Sequence, residues 1–381
     1  MRIAITSNYK IGNETGTAHV SEELCRELSK KNKVTYFCVG EKYKKSKLND
    51  NLTIFTFPSV EINNLVIPFI TPRATVNMFK YLDKFKPDIV HAQNPFLICS
   101  LAQMWARTNK VPYLVTFHHI PTQAIEHLLP KFSKNIVTKI AEDIYKEISL
   151  KGFFEKSDGV IALNQTIRKS IRKVNKKIPV KIINNGLDLS KLLRVESKKS
   201  TLANVEFMFM GSYTERKNQK YLIKVFAHLP KNYRLTLYGS KTTGGPYLRE
   251  LESLIKKLEI ENVDLNDYTK NKSEAFANTD YLVSASVKEA QSLVIIEALA
   301  SGKPVIGLKN ETTAELINES NGVVLPQKTS PKEFAKQILK LITEKDYKET
   351  SRNARKDSNN FRIEKVAPRL LKFYKEFVSK T

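Results

Sequence analysis

Cysteine is scarce in this 381-residue chain, and the little there is excludes two classes at once. Cys25, Cys38 and Cys99 are odd in number and lack C-x-x-C spacing, so neither a disulfide framework nor a structural zinc site is indicated. The adjacent pair His118-His119 is not spaced like H-E-x-x-H and does not read as a metal-ligand set. Long apolar runs are missing too: none approaches the ~20 residues that a membrane-spanning helix needs. Residues 1–7 form a strand-like run, not a charged stretch leading into a long apolar core, so a cytosolic protein is expected. There are no internal repeats and no low-complexity tracts.

Acidic residues are the other shortage. Against 63 Lys and Arg stand 39 Asp and Glu, a formal net charge of +24. Such an excess draws a polyanion: nucleic acid, anionic lipid headgroups or acidic glycans. Many of the lysines fall on amphipathic helices, where they equally serve as a solvated face. No aromatic-interleaved basic ribbon supports a nucleic-acid partner. With 41% hydrophobic residues over 381 positions, the chain has more to bury than one ordinary core holds, and two domains are expected.

The stretch 286–307, SVKEAQSLVIIEALASGKPVIG, organises the rest. Ser292 is placed as an N-cap, and Gly302 with Pro304 marks the stop, which predicts a helix over 292–301. Nearly every side chain between is apolar or small, the pattern of a buried helix. Glu297 is the anomaly, because an unpartnered carboxylate there costs several kcal/mol or loses its charge. Glu289 lies in the loop feeding the helix. Two readings stay open. In one, amides at Gln291, Ser292 and Leu293 take a diphosphate while the two carboxylates accept from sugar hydroxyls. In the other, a capped core helix pairs its Glu with a Lys.

Glu289 and Glu297, with seven residues between them and EALASGKPVIG following, resemble the E-x7-E signature of glycosyltransferase family 4, the retaining GT-B enzymes. The resemblance covers nearly the whole chain. It implies an α/β fold of two facing Rossmann-like doubly wound domains, an interdomain cleft and a C-terminal crossover helix. The boundaries expected are 1–186 for an acceptor-binding domain, 187–359 for a nucleotide-sugar-binding domain and 360–381 for the crossover helix. It also implies metal-independent transfer with no cofactor, the nucleotide sugar being a substrate.

Other positions follow the chain. MRIAITSNY (1–9) opens a βαβ unit, and Gly16, counted among the donor-binding residues, occupies the place of the family's small-residue loop, which by resemblance lets the backbone approach the sugar diphosphate or the acceptor. The run from Leu65 through Val66, Ile67 and Phe69, broken by Pro68 and Pro72, is not expected to form a regular element. It suits shallow membrane contact or a loop packed under the domain. Over 130–155, isoleucines four apart alternate with Lys131, Lys134 and Lys139, either a core-facing stripe or a basic membrane-contacting helix. His118 ends a strand and lines up with the family's active-site histidine. Asn185-Gly186 reads as a turn at the domain boundary. In GSYTERK (211–217) the family usually has G-R-x-x-x-x-K; Gly211 and Lys217 fit, but Ser212 stands where Arg is usual, and Arg216 is the available substitute.

By resemblance, Glu297 holds ribose hydroxyls, Glu289 a donor-sugar hydroxyl, and Lys217 the diphosphate, with His118, Glu289 and Lys217 catalytic. The basic, Pro-interrupted first half looks most like transferases acting on membrane lipids, such as diacylglycerol glucosyltransferases, at an anionic membrane surface. The runner-up is a polysaccharide or lipopolysaccharide transferase using UDP- or GDP-sugars. A non-catalytic basic binding protein is the remote alternative.

Overall fold

The computed structural model describes residues 1–12, 16–62, 65–94, 97–118, 155–196 and 204–379. Contacts divide the chain into two compact units, Met1–Leu187 with Ile363–Thr381, and Asp188–Arg362. The segment 130–155, and with it Lys131, Lys134 and Lys139, lies outside the described residues save for Glu155.

The first unit is built on strands β1 (Arg2–Lys10), β2 (Lys33–Gly40), β3 (Lys44–Asn49), β4 (Leu52–Ile62), β5 (Leu65–Pro68), β6 (Ile89–Ala92), β7 (Tyr113–Phe117), β8 (Gly159–Ala162) and β9 (Val180–Ile182). They run in the order β3-β4-β2-β1-β6-β7-β8-β9, with β5 added to β4. Ile3, Ala4 and Ile5 of β1 are all buried, as are Phe37, Cys38 and Val39 of β2. Continuous burial instead of alternation is what a parallel strand covered on both faces shows. The C-terminal helix Ile363–Val378 supplies part of the cover: Ile363, Val366, Leu370, Phe373 and Tyr374 join Ile3, Leu24, Tyr36 and Ile89 in one core.

Two sequence expectations are corrected here. Leu65–Pro68 is a regular strand, β5, antiparallel to β4 through Val60↔Ile67 and Ile62↔Leu65. Pro68 is its last residue on the sheet edge, where a missing N–H leaves no ladder bond unmade, and Pro72 opens the helix Pro72–Phe85 behind the cap Thr71. Asn185-Gly186 forms no turn; the chain passes straight through it. A Cβ on Gly186 would sit 2.6 Å from Ile363 Cδ1 and 2.9 Å from its Cα, so the glycine is there for close packing of the last helix.

The second unit holds β10 (Val205–Met210), β11 (Tyr233–Tyr238), β12 (Val263–Asn266), β13 (Tyr281–Ser284), β14 (Val305–Leu308) and β15 (Gly322–Leu325). Their order is β12-β11-β10-β13-β14-β15, every pair parallel. Counted within the unit this is 3-2-1-4-5-6, the doubly wound order whose direction reverses between β10 and β13. The first unit shows the same reversal between β1 and β6. Ligands of such sheets bind beyond the carboxyl ends of the strands at the reversal. The tail holds the helices Pro331–Glu344, Tyr347–Ser358 and Ile363–Val378, and the middle one carries too few apolar side chains to be read from the sequence.

Candidate active site

In the second unit the loop after β10 and the loop after β13 meet at the reversal point. Val287 N donates to Arg216 O at 2.9 Å, and Asn218 Nδ2 donates to Ala285 O at 3.3 Å. Asn218 itself takes a left-handed backbone (φ 57°), which turns the chain from Glu215–Lys217 into the helix Gln219–Phe226. The strand ends approach closely: a Cβ on Gly239 would lie 2.6 Å from Gly211 O.

These loops bring two cations onto one acid. Lys217 Nζ donates to Glu289 Oε1, and Arg216 Nη1 donates to Glu289 Oε2 at 3.3 Å and to Lys288 O at 3.0 Å. The Glu289 side chain is 8% exposed, Lys217 14% and Arg216 30%, so the triad is largely dry. Burial pushes the Glu289 carboxyl up, but the Lys217 and Arg216 charges, with hydrogen bonds from Lys217 and Ser286, hold it below the usual carboxylate range. Arg216 thus stands beside Lys217. Ser212 is exposed and carries no charge; its carbonyl accepts from Gln219 Nε2 at 2.9 Å.

The helix after the Glu289 loop spans Leu293–Ala300, capped by Ser292, whose side chain makes no capping hydrogen bond. Gln291 and Leu293 are half-buried and Ser292 is buried. A helix N-terminus carries a partial positive charge that favours an anion beside it. Gly302, at φ +70°, closes the helix where the sequence placed the stop. Ile295, Ile296, Ala298 and Leu299 are fully buried, and Glu297 is 4% exposed among them. Of the two readings left open for Glu297, the structure supplies the lysine: Lys272 Nζ donates to its Oε1 at 2.5 Å.

The first unit gathers polar side chains at the ends of β6 and β7. His118, just past β7 and 6% exposed, bonds through Nε2 to Gln93 Oε1 at 2.8 Å. Gln93 and Asn94 follow β6, at the reversal point of this sheet, and both are buried. Gly16 is the first residue of the helix Gly16–Ser29 and is exposed; residues 13–15 before it are not described. Val66 and Ile67 are half-buried on β5, and Phe69 is 62% exposed beside Val60 at 52%. Among the described residues no helix is long and apolar enough to cross a membrane.

Sequence reasoning missed Lys272, His91 and Gln93. Lys272 is one lysine among many, and its partner is 25 residues away. The only local trace of the other two is a polar pair closing the buried strand IVHA.

Comparison with known proteins agrees with the fold. The profile of Glycosyltransferase Family 4 matches residues 15–191, and that of Glycosyl transferases group 1 matches residues 195–357. The chain is a glycosyltransferase of the family 4 type. This glycosyltransferase is 25% identical over 336 residues to Alpha-monoglucosyldiacylglycerol synthase of Streptococcus pneumoniae, covering 84% of this chain and 74% of that one. It is 24% identical over 249 residues to Sulfoquinovosyl transferase SQD2 of Arabidopsis thaliana, covering 62% of this chain and 45% of that one. Among solved structures, sucrose-phosphate synthase from Thermosynechococcus elongatus superposes with a TM-score of 0.77 at 17% identity, over 100% of both chains. Anabaena Alr3699/HepE in complex with UDP-glucose does so at 0.72 and 16%, over 99% of this chain and 100% of that one. The fold is GT-B.

Proposed function

We propose that this glycosyltransferase moves a hexose, with glucose from UDP-glucose the favoured donor, onto a membrane-lipid acceptor such as diacylglycerol. The transfer retains the anomeric configuration and uses no metal. The observation that supports it best is the pairing of Arg216 and Lys217 over Glu289, next to a helix N-terminus at the sheet's reversal point. Lysine, arginine and carboxylate together leave one net positive charge there. A departing diphosphate gains negative charge as the sugar's C1–O bond breaks and its electron pair moves onto the phosphate oxygen. Donors fixed in advance stabilise that charge more in the transition state than in the ground state, and losing one typically costs roughly 10²–10³ in rate. The acceptor oxygen bonds C1 on the face the phosphate leaves, and its proton passes to that phosphate.

In this reading Glu289 accepts from a hydroxyl of the donor sugar, while Glu297 shares its carboxylate between Lys272 and the ribose hydroxyls. Amides at 291–293 complete the diphosphate cradle. His118 is assigned as a further contact of the reacting group. The lipid acceptor is favoured by the relationship to a monoglucosyldiacylglycerol synthase, by the exposed Val60 and Phe69, and by the net charge of +24. Apolar anchors with basic flanks, each lysine near an anionic surface contributing ~1 kcal/mol, suit a peripheral enzyme on the inner face of the membrane.

The test is transfer from a panel of UDP- and GDP-sugars to diacylglycerol in phosphatidylglycerol vesicles, with soluble glycans and undecaprenyl-linked sugars as competing acceptors. An α-glucosyl lipid formed from UDP-glucose in the presence of a chelator is the expected product. Exclusive use of a glycan acceptor would move the assignment to polysaccharide synthesis, and donor binding without transfer to any acceptor would make the chain a binding protein.

A further inference from the structure

The strand β13 lies between β10 and β14, so the Glu289 loop has a neighbouring loop on each side. The β10 side supplies the two cations, Arg216 and Lys217. The β14 side supplies a further acid: Glu289 N donates to Glu311 Oε2 at 3.4 Å. Glu311 is half-buried and takes part in no ion pair among the described residues.

Its neighbours in sequence fix its place. Asn310 Oδ1 accepts from Thr312 N and Thr313 N, both at 2.9 Å, and Asn310 Nδ2 donates to Ser286 O at 2.7 Å. Thr312 Oγ1 donates to Glu289 O at 3.1 Å. Both flanking residues are buried, Asn310 at 9% exposure and Thr312 at 3%. The chain on either side of Glu311 is thus tied to 286–289, while the carboxylate has one of its about four acceptor positions occupied by a protein donor.

We infer that Glu311 determines which donor sugars the site takes: it accepts from hydroxyls of a neutral hexose and rejects a sugar that carries a negative charge. This role rests on the donor site assigned above and adds the charge class of the sugar. Charge changes sign across the carboxyl edge of the sheet, from the cations beyond β10 to the unmatched acid beyond β14. A nucleotide sugar laid along that edge with its phosphates over the cations has its hexose toward Glu311. Hydroxyls of the hexose then donate to the carboxylate in charge-assisted bonds. A uronate in the same place sets two like charges several Å apart, and selection of this kind is built from repulsion as much as from attraction. Glu289 cannot supply the repulsion, because two cations already match its charge.

UDP-glucose and UDP-glucuronate differ only at C6, a hydroxymethyl against a carboxylate, and calorimetric titration of the full chain with each reads the selection. The wild type is expected to bind UDP-glucuronate about tenfold more weakly, the scale of two like charges several Å apart near a protein surface. Glu311→Gln, whose amide oxygen still accepts from Glu289 N, brings the two affinities to within about twofold. A residue that merely propped the Glu289 loop would leave their ratio unchanged. Equal affinity of the wild type for both donors overturns the proposal whatever the variant does, and so does a gap that persists in folded Glu311→Gln. Lys217→Met keeps the underlying site reading separate. If UDP does not bind, or binds Lys217→Met as tightly as the wild type, the donor site itself fails. If UDP binding weakens in Lys217→Met while the gap persists in Glu311→Gln, the site stands and its selection by charge falls.

Discussion

Replacing Glu289 by glutamine separates binding of the diphosphate from transfer of the sugar. In the wild type the acid neutralises two cations that are themselves mostly out of water, at side-chain exposures of 14% for Lys217 and 30% for Arg216. Glutamine keeps the shape and removes the charge. The cations then repel across a short gap: two unit charges about 4 Å apart at an effective dielectric of about 20 interact by roughly 4 kcal/mol. Breaking one side of a buried pair costs about 3–5 kcal/mol in proteins generally, and the two figures agree. Glu289→Gln is expected to lose that much stability, measured by urea unfolding followed by circular dichroism. Lys217→Met loses less, because Glu289 keeps Arg216 and Ser286.

Affinity for UDP should move the other way. The Gln variant presents two uncompensated positive charges where the wild type presents one, so UDP is expected to bind it about tenfold more tightly, near 1.4 kcal/mol. Lys217→Met binds UDP more weakly. Transfer falls roughly 10²–10³ in both variants, in one because a neutral amide accepts from the sugar hydroxyl more weakly than a carboxylate does and in the other for want of a phosphate donor. Calorimetric titration with UDP beside initial rates of transfer tests this directly. If Glu289→Gln weakens UDP binding as much as Lys217→Met does, the two cations do not face the diphosphate, and the site lies elsewhere.

Three further outcomes follow from the buried groups. His91 is held neutral by burial, with its pKa near 3 against a usual 6.5. Below pH 6.5 the unfolded chain therefore binds a proton that the folded one refuses, and stability falls by about 2 kcal/mol by pH 5. Fluorescence of Trp105, the sole tryptophan and a first-unit residue, should show the loss, and His91→Asn should flatten it. Lys303 is fully buried, and burial, aided by Arg355 and opposed by Asp280, brings its pKa down to about 8. Between pH 8 and 9.5 the unfolded chain holds the extra proton, so stability rises by about 2 kcal/mol relative to Lys303→Met. Gly302→Ala should cost roughly 2 kcal/mol in thermal unfolding, since φ is +70° and the new Cβ lies 2.6 Å from both Arg355 Nε and Ser351 Oγ.

The helix Leu293–Ala300 was legible because its signals are local: a serine at the N-cap position, an apolar run and a glycine stop within a dozen residues. The opening strand, read from MRIAITSNY, was legible for the same reason and is β1, Arg2–Lys10. What the sequence hid depends on partners far along the chain. Pro68 disguised β5 because only the pairing with β4 shows that the proline ends an edge. Gly186 looked like a turn because Ile363, the residue that needs its missing side chain, lies 177 positions on. The bond between the Tyr374 hydroxyl and His91 Nδ1 joins residues 283 apart.

Glu297 shows how such distance changes a functional reading. A lone acid in an apolar helix suggests a ligand only while it lacks a partner, and Lys272 now provides one. The pairing does not make the acid inert. A carboxylate has about four acceptor positions, and one lysine occupies one of them. What singles out the proposed nucleotide site is instead topological: the loops carrying Arg216, Lys217 and Glu289 leave adjacent strands, β10 and β13, where the winding of the sheet reverses. Neither cation nor acid would be informative on another strand pair. Lys272 then becomes a competitor that the ribose must share with, so Lys272→Met should destabilise the chain without nucleotide and regain most of the loss when UDP is saturating. A loss that UDP leaves untouched would mean that the hydroxyls of the ribose never reach Glu297.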